Sequence, residues 1–307
     1  MNLKDLKYVV SVAESHHFGK AAELCFVSQP TLSGQIKKLE EELGVSLFER
    51  TSRSVEVTPV GEMILNHARQ ILDQVNVIEQ VAQTFGDPLA GPLRVGAIPT
   101  LSPYLMPLIL MPLKNKHPQM KLVLSEEMTN TLTTRLRNHE IDAALIATEV
   151  DEQEFGVMPL FKEPFWLAYP CDHPVSRKSE IGRADLDGAD LLLLAEGHCL
   201  AKQAMDICHK NRKDQGDMAD LRASSLETLL QMVSAGFGST LVPALAMRGS
   251  WTSNEGISTC KLKLNDAHRC ISLIYRKSYP RQKALDAFAQ VIVENLPDSV
   301  ELLSKAK

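Results

Sequence analysis

The run Leu191-Leu192-Leu193-Leu194-Ala195-Glu196-Gly197-His198-Cys199-Leu200 carries an apolar stretch into a glycine turn, and Ala201 to Cys208 then favours helix. Cys199 thus stands near a helix N-terminus and beside a histidine. Both settings stabilise a thiolate, the species that attacks the O–O bond of a peroxide. The first product of that attack is a sulfenic acid, which condenses with a second thiol to a disulfide. Cys208, nine positions on, is the nearest candidate partner. In a helix, nine residues put two side chains on opposite faces with about 13 Å of rise between them, whereas a disulfide needs Cα atoms roughly 4.4–6.8 Å apart. Forming the bond would unwind the helix, which makes this segment a two-state element able to transmit a chemical event. The other cysteines, Cys25, Cys171, Cys260 and Cys270, read as small buried residues.

A group that reacts with peroxide must also bind it, and hydroxyls near the sulfur can donate to and accept from so small a ligand. Thr100 follows Ile98-Pro99 and Thr129 follows Met128, each at the carboxyl end of a strand-like run, where α/β proteins form ligand sites. Helix capping is the competing reading for either threonine, and Thr129 can serve both ends. His198-Cys199 and Cys208-His209 together offer four zinc-compatible donors, but their spacing matches no compact zinc motif. No metal and no other cofactor is expected.

The scaffold that must hold these groups is an ordinary globular mixture: 307 residues, 44% hydrophobic and 23% charged, enough for two or three cores. Leu93 to Ile98, Lys121 to Met128 and Asp142 to Ala147 read as strands, with helices over Tyr104 to Lys116 and Thr131 to His139 between them. That order predicts an α/β domain with a parallel sheet. A second set follows: strands at Trp166 to Tyr169, Asp190 to Leu194, Leu221 to Ala223 and Ser239 to Val242, helices around Lys202 to His209 and Ser225 to Ala235. Pro280 to Leu296 closes the chain as an amphipathic helix. Residues 92–300 are therefore expected to form two α/β lobes joined by two crossings, lobe 1 from about 92–161 plus 268–300 and lobe 2 from about 162–267.

The N-terminal third has a different texture. Leu3 to Ser15 has helical spacing, Lys20 to Cys25 is a short helix whose alanines allow close approach, and Val27-Ser28-Gln29-Pro30 opens a third helix that runs to about Leu43 before Gly44. Two β-prone runs, Val45 to Arg50 and Ser54 to Thr58, flank Thr51-Ser52-Arg53 and suggest a wing. Helix, helix, turn, helix, wing is a DNA-reading arrangement, so residues 1–58 are expected to be an all-α winged helix-turn-helix domain. Residues 59–88 carry a long apolar stripe through Met63, Ile64, Ile71, Leu72, Val75, Ile78, Val81 and Ala82, suited to a linker and dimerisation helix. On the third helix Gln29, Thr31, Ser33, Gln35, Lys37 and Lys38 can face outward, where they suit base edges and phosphates, or form a merely solvated face. A net charge of -5 speaks against non-specific coating of nucleic acid, so binding must depend on placement and on several copies.

The run Phe18 to Glu40, with Glu42 to Arg50 and Leu65 to Leu72 behind it, closely resembles the LysR-type transcriptional regulators, and in weaker form the likeness covers the whole chain. The resemblance implies a regulatory part like the periplasmic binding proteins, with Gln29, Pro30, Thr31 and Ser33 at the major groove and Arg50 and Arg53 on the backbone or minor groove. Gly197-His198-Cys199-Leu200, Arg222 to Leu229 and Pro243 to Ala246 are similar to the peroxide-responding members of that family. That likeness assigns Cys199 as the peroxidatic residue and Cys208 as the resolving one, and draws Thr100, Thr129, His198 and Arg269 into a sensing pocket, although a solvent ion pair explains Arg269 equally well. It further implies double-stranded promoter DNA, hydrogen peroxide and RNA polymerase as partners, glutaredoxin or thioredoxin as reductant, a homotetramer built as a dimer of dimers, and no enzymatic turnover. One departure stands out: His209 to Asp217 is more charged than the likeness leads one to expect. No apolar run reaches the roughly 20 residues of a membrane span, and Met1 to Lys7 lacks the apolar core of a signal peptide. A cytoplasmic address and thiols reduced at rest are expected. Two other functions compete: a family member that clamps a small metabolite between its lobes, and a thiol peroxidase.

Overall fold

Asn2 opens the first helix, α1 (Leu3–Ser15), with a capping box: its side-chain oxygen accepts from the N–H groups of Lys4 and Asp5, and the Asp5 carboxylate accepts from the Asn2 N–H at 2.8 Å. The computed structural model describes residues 1–50, 55–84, 87–178, 181–187, 191–208, 222–248 and 256–303. It divides into a unit Met1–Phe85 and a unit Gly86–Lys307. In the first, α2 (Phe18–Leu24) starts two residues earlier than spacing predicts. The reason is His17, whose Nδ1 accepts from the N–H groups of Gly19 and Lys20 and so acts as the N-cap. Helix α3 (Gln29–Leu43) begins on the Ser28 cap and ends at Gly44, whose φ of 70° is the left-handed C-cap that favours glycine. Its inward face, Leu32, Ile36 and Leu39, packs with Val9, Val12, Ala21 and Leu65 in one core.

Strands β1 (Phe48–Arg50) and β2 (Val55–Val57) pair antiparallel as the expected wing. Glu40 of α3 ties the wing down by accepting from the N–H groups of Leu47 at 2.8 Å and Phe48 at 3.2 Å. Helix α4 (Pro59–Thr84) follows; Thr58 caps it by accepting from the Gly61 N–H. Leu65 and Ala68 of α4 are buried, whereas Met63, Ile71 and Ile78 are exposed.

The second unit starts with β3 (Gly91–Ala97), α5 (Ser102–Lys116), β4 (Met120–Glu126), α6 (Thr129–Arg137) and β5 (Ala143–Ile146). Then comes a single 16-residue strand, β6 (Phe155–Pro170), of which spacing predicts only Trp166 to Tyr169. The chain continues through α7 (Arg183–Asp187), β7 (Leu193–Leu194), α8 (Cys199–Ile207), β8 (Arg222–Ala223), α9 (Leu226–Ser234) and β9 (Thr240–Pro243). It closes with β10 (Ile257–Lys261), β11 (His268–Arg276), α10 (Gln282–Glu294) and β12 (Glu301–Leu302). The expected parallel sheet is mixed. Strand β3 pairs parallel with β4 and β5, but β11 runs antiparallel to both β5 and β6. The chain returns from the second lobe along β11 without a crossover helix, and such a return can only be antiparallel.

Two cores result. The first gathers Leu93, Val95, Leu105, Ile109, Leu145, Phe161, Ile271 and Phe288; the second gathers Phe165, Leu167, Leu194, Leu200, Ile207, Leu230 and Val242. Strand β6 threads both, pairing with β11 up to Pro164 and with β9 and β10 from Phe165 on. No helix among the described residues is long and apolar enough to cross a membrane.

Candidate functional site

Cys199 is the first residue of α8 and Cys208 its C-cap, so the two thiols stand at opposite ends of one intact helix with about 13 Å of rise between them. The turn before α8 needs Gly197, whose φ of 97° is costly for any residue with a Cβ. A Cβ added there would lie 3.9 Å from Met128 Cγ, so the turn into α8 runs close to the residue that precedes Thr129. Cys199 is half-buried and packs on the first core; Cys208 is buried in the second, beside Leu200, Ala204 and Ile207. None of the six cysteines is joined in a disulfide.

Burial pushes the Cys199 thiol up; the Arg269 guanidinium opposes this, and so do the N–H groups of Leu200 and Cys199 at the start of α8. The helix N-terminus thus acts as expected, but the histidine does not. His198 is buried, and that burial lowers its pKa against a hydrogen bond to the Ser224 backbone. A neutral imidazole cannot act as the cation beside the sulfur, and that part falls to Arg269.

At Arg269 the alternative to a place in the pocket, a solvent ion pair, does not hold. Its side chain is wholly buried, as is that of Glu163, and Nε donates to Glu163 Oε2 at 2.8 Å. Nη1 donates to Thr100 Oγ1 at 2.8 Å and Nη2 to the Thr100 carbonyl at 2.9 Å. One guanidinium is therefore anchored on Thr100 and lies close enough to Cys199 for its charge to act on the thiol. Thr129 is the first residue of α6, and Met128 is the N-cap with no side-chain bond, so Thr129 does not cap. Its Oγ1 is buried with no hydrogen-bond partner, which is costly unless something else fills the role.

Three further neighbours are not among the residues the sequence singles out. Gln203, one turn after Cys199 on the same face of α8, donates from Nε2 to the Ala147 carbonyl at 2.7 Å while its Oε1 is buried without a partner. Tyr104 of α5 donates to Glu227 of α9 at 2.6 Å and joins the lobes; burial first, then Glu227, raises its pKa. Glu163 shares a face of β6 with Phe161 and Phe165, a parity that signals it only once the strand is extended back beyond Trp166. Of the cysteines expected to be small buried residues, Cys171 and Cys270 are exposed.

On α3, Gln29, Pro30, Thr31, Gln35, Lys37 and Lys38 are exposed and Ser33 is half-buried. Lys37 makes a loose ion pair with Glu41 at 3.8 Å, and Thr31 Oγ1 shares a hydrogen bond with Ser28 at 2.8 Å. Arg50 lies on β1; Arg53 and the charged segment 209–217 fall outside the described residues.

Comparison with known proteins agrees with this layout. Residues 3–62 match the bacterial regulatory helix-turn-helix protein model of the lysR family, and residues 86–297 match the LysR substrate binding domain. A curated relative from Pectobacterium carotovorum subsp. carotovorum, the hydrogen peroxide-inducible genes activator, is 41% identical over 305 residues, which is 99% of this chain and 100% of the relative. A full-length OxyR mutant from Pseudomonas aeruginosa is similar in structure with a TM-score of 0.81 and 38% identity, covering 100% of this chain and 99% of that one. A hydrogen-peroxide-bound OxyR mutant from Corynebacterium glutamicum has a TM-score of 0.66 and 36% identity, covering 96% of this chain and 92% of that one. With both of its units matched and relatives of this identity along its full length, the chain belongs to the LysR family of bacterial transcription regulators.

Proposed function

We propose that the protein is a DNA-binding transcriptional regulator of the oxidative stress response, switched on when hydrogen peroxide oxidises Cys199 and a disulfide forms with Cys208. One observation carries the reading: Cys199 opens α8 beside the buried Arg269–Thr100 pair, and its partner thiol closes the same helix inside the other core. The Cys199 thiolate attacks one oxygen of hydrogen peroxide; an S–O bond forms, the O–O bond breaks, and the departing hydroxide takes a proton to leave as water. The sulfur is oxidised by two electrons to a sulfenic acid. Cys208 then attacks that sulfur, water leaves, and the disulfide forms. Thr100 and Thr129 are peroxide ligands in this scheme; His198 lines the pocket, and Arg269 supplies charge to the leaving oxygen.

Because the intact helix holds the thiols too far apart, α8 must unwind, and the refolded segment shifts the recognition helices of a homotetramer on promoter DNA and their contacts with RNA polymerase. Gln29, Pro30, Thr31 and Ser33 read the major groove, Lys37 contacts DNA from the same helix, and Arg50 and Arg53 take the backbone or the minor groove. The switch operates in the cytoplasm, and glutaredoxin or thioredoxin resets it. The division into lobe 1 (92–161 plus 268–300) and lobe 2 (162–267) is supported by the two cores, with Leu245 reaching from the second span into the first core.

Peptide mapping by mass spectrometry, after a brief exposure of the reduced protein to about one equivalent of hydrogen peroxide and non-reducing digestion, tests the reading. A Cys199–Cys208 linkage is expected before any other cysteine reacts. Intact Cys199, or oxidation led by Cys171 or Cys270, would overturn it in favour of a metabolite clamped between the lobes.

A further inference from the structure

Glu163 is fully buried in β6, at the point where that strand leaves the first core and enters the second. A carboxylate taken out of water needs its charge and its lone pairs answered. Both oxygens are used, and from different directions. Oε2 accepts from Arg269 Nε at 2.8 Å, and Oε1 accepts from the Leu245 N–H at 2.8 Å, in the 3-10 turn Ala244–Arg248 that follows β9. Leu245 itself packs its side chain into the first core while its neighbour Ala246 packs into the second.

Arg269 gives its two remaining nitrogens to Thr100, so a planar fork is fixed by Glu163 along one edge and Thr100 along the other. Its charge is the one that offsets the burial of Cys199. The other ionisable groups nearby are His198, whose pKa burial lowers, and Tyr104 of α5, which faces Glu227 of α9 and Glu126 of β4.

We propose that Glu163 is a positioning residue for the Cys199 chemistry: gripping Arg269 with one oxygen and the Leu245 N–H with the other, it holds the guanidinium toward Thr100 and Cys199 for as long as the two lobes are seated on each other. The proposal rests on Cys199 being the reactive thiol. Glutamine has a single acceptor oxygen and cannot answer both donors in this geometry, and lysine keeps the charge of arginine but cannot span Glu163 and both Thr100 oxygens.

The test is the pH profile of Cys199 alkylation by iodoacetamide in the reduced full-length protein, read at Cys199 by peptide mapping, for the wild type, Glu163→Gln, Glu163→Asp and Arg269→Lys. The midpoint is expected to rise by about one pH unit in Glu163→Gln and Arg269→Lys, leaving about tenfold less thiolate at neutral pH, while the rate plateau at high pH stays. Glu163→Asp, with both oxygens present, should recover part of the shift. If Glu163 only stabilises the fold, its variants unfold at lower temperature with the profile where the wild type has it, and the proposal is overturned; a shift to lower pH overturns it too. Should Glu163→Gln fail to fold, Glu163→Asp decides: a midpoint above the wild type's supports the proposal, and an unmoved one overturns it. Failure of peroxide to oxidise wild-type Cys199 would sink the proposed function and leave the alkylation comparison standing.

Discussion

Thr129 illustrates how a single residue exposes function against stability. Its hydroxyl is buried without a partner, a state that costs about 1–3 kcal/mol when nothing replaces the lost water. Thr129→Val keeps the shape and removes the unmet group, so its unfolding midpoint should equal or exceed that of the wild type while its peroxide reaction slows. A variant that is both less stable and equally reactive would show the hydroxyl to be structural. Histidines give a second residue-scale prediction. Burial, followed by repulsion from Arg276, lowers His139 from 6.5 to about 4, and burial lowers His198 in the same direction. Between those values the unfolded chain binds a proton at His139 that the folded chain refuses, so the contribution of neutral His139 to stability is complete above pH 6.5 and falls as the pH drops toward 4. Thermal unfolding across that window should show the decline, and His139→Gln should flatten it.

At the scale of elements, caps and alternation made much of the fold legible before any coordinates. Ser28 and Gly44 bound α3 where spacing predicts, and the apolar face of α3 follows from period alone. What escaped was set by contacts distant in sequence. The first half of β6 and all of β11 are strands because they pair with each other, with Cys270 opposite Lys162 and Tyr275 opposite Gly156, and no local signal announces a partner more than a hundred residues away. The wing shows the same dependence. Its entry is fixed by Glu40, whose carboxylate accepts two backbone N–H groups from a different element. Glu40→Ala leaves those donors unmet and should cost the N-terminal unit about 1–3 kcal/mol in thermal or denaturant unfolding, with weaker operator binding. Unchanged stability would mean that water replaces the carboxylate without penalty.

For the whole molecule, the N-terminal unit has its own core, built on Leu32, Ile36 and Leu65, and the second unit has two, built on the strands around β6. The 86–307 fragment is therefore expected to fold alone and to form the Cys199–Cys208 disulfide with peroxide, while losing DNA binding; circular dichroism, peptide mapping and an electrophoretic shift assay check the three parts. A fragment that folds but makes no disulfide would mean that the N-terminal unit takes part in the chemistry. Sequence alone determined the order of domains, the helix-turn-helix with its outward-facing Gln29, Thr31 and Lys37, and the two thiols at the ends of one helix, because caps, periodicity and a nine-residue spacing are local properties. Tertiary structure decided the environment of the thiol. It made Arg269 rather than His198 the cation, tied that cation to Thr100 and Glu163, and left the Thr129 hydroxyl unmet. Charge and desolvation at Cys199 depend on groups 99 residues upstream and 70 downstream, brought to one place only by the crossing of β6 and β11 between the lobes.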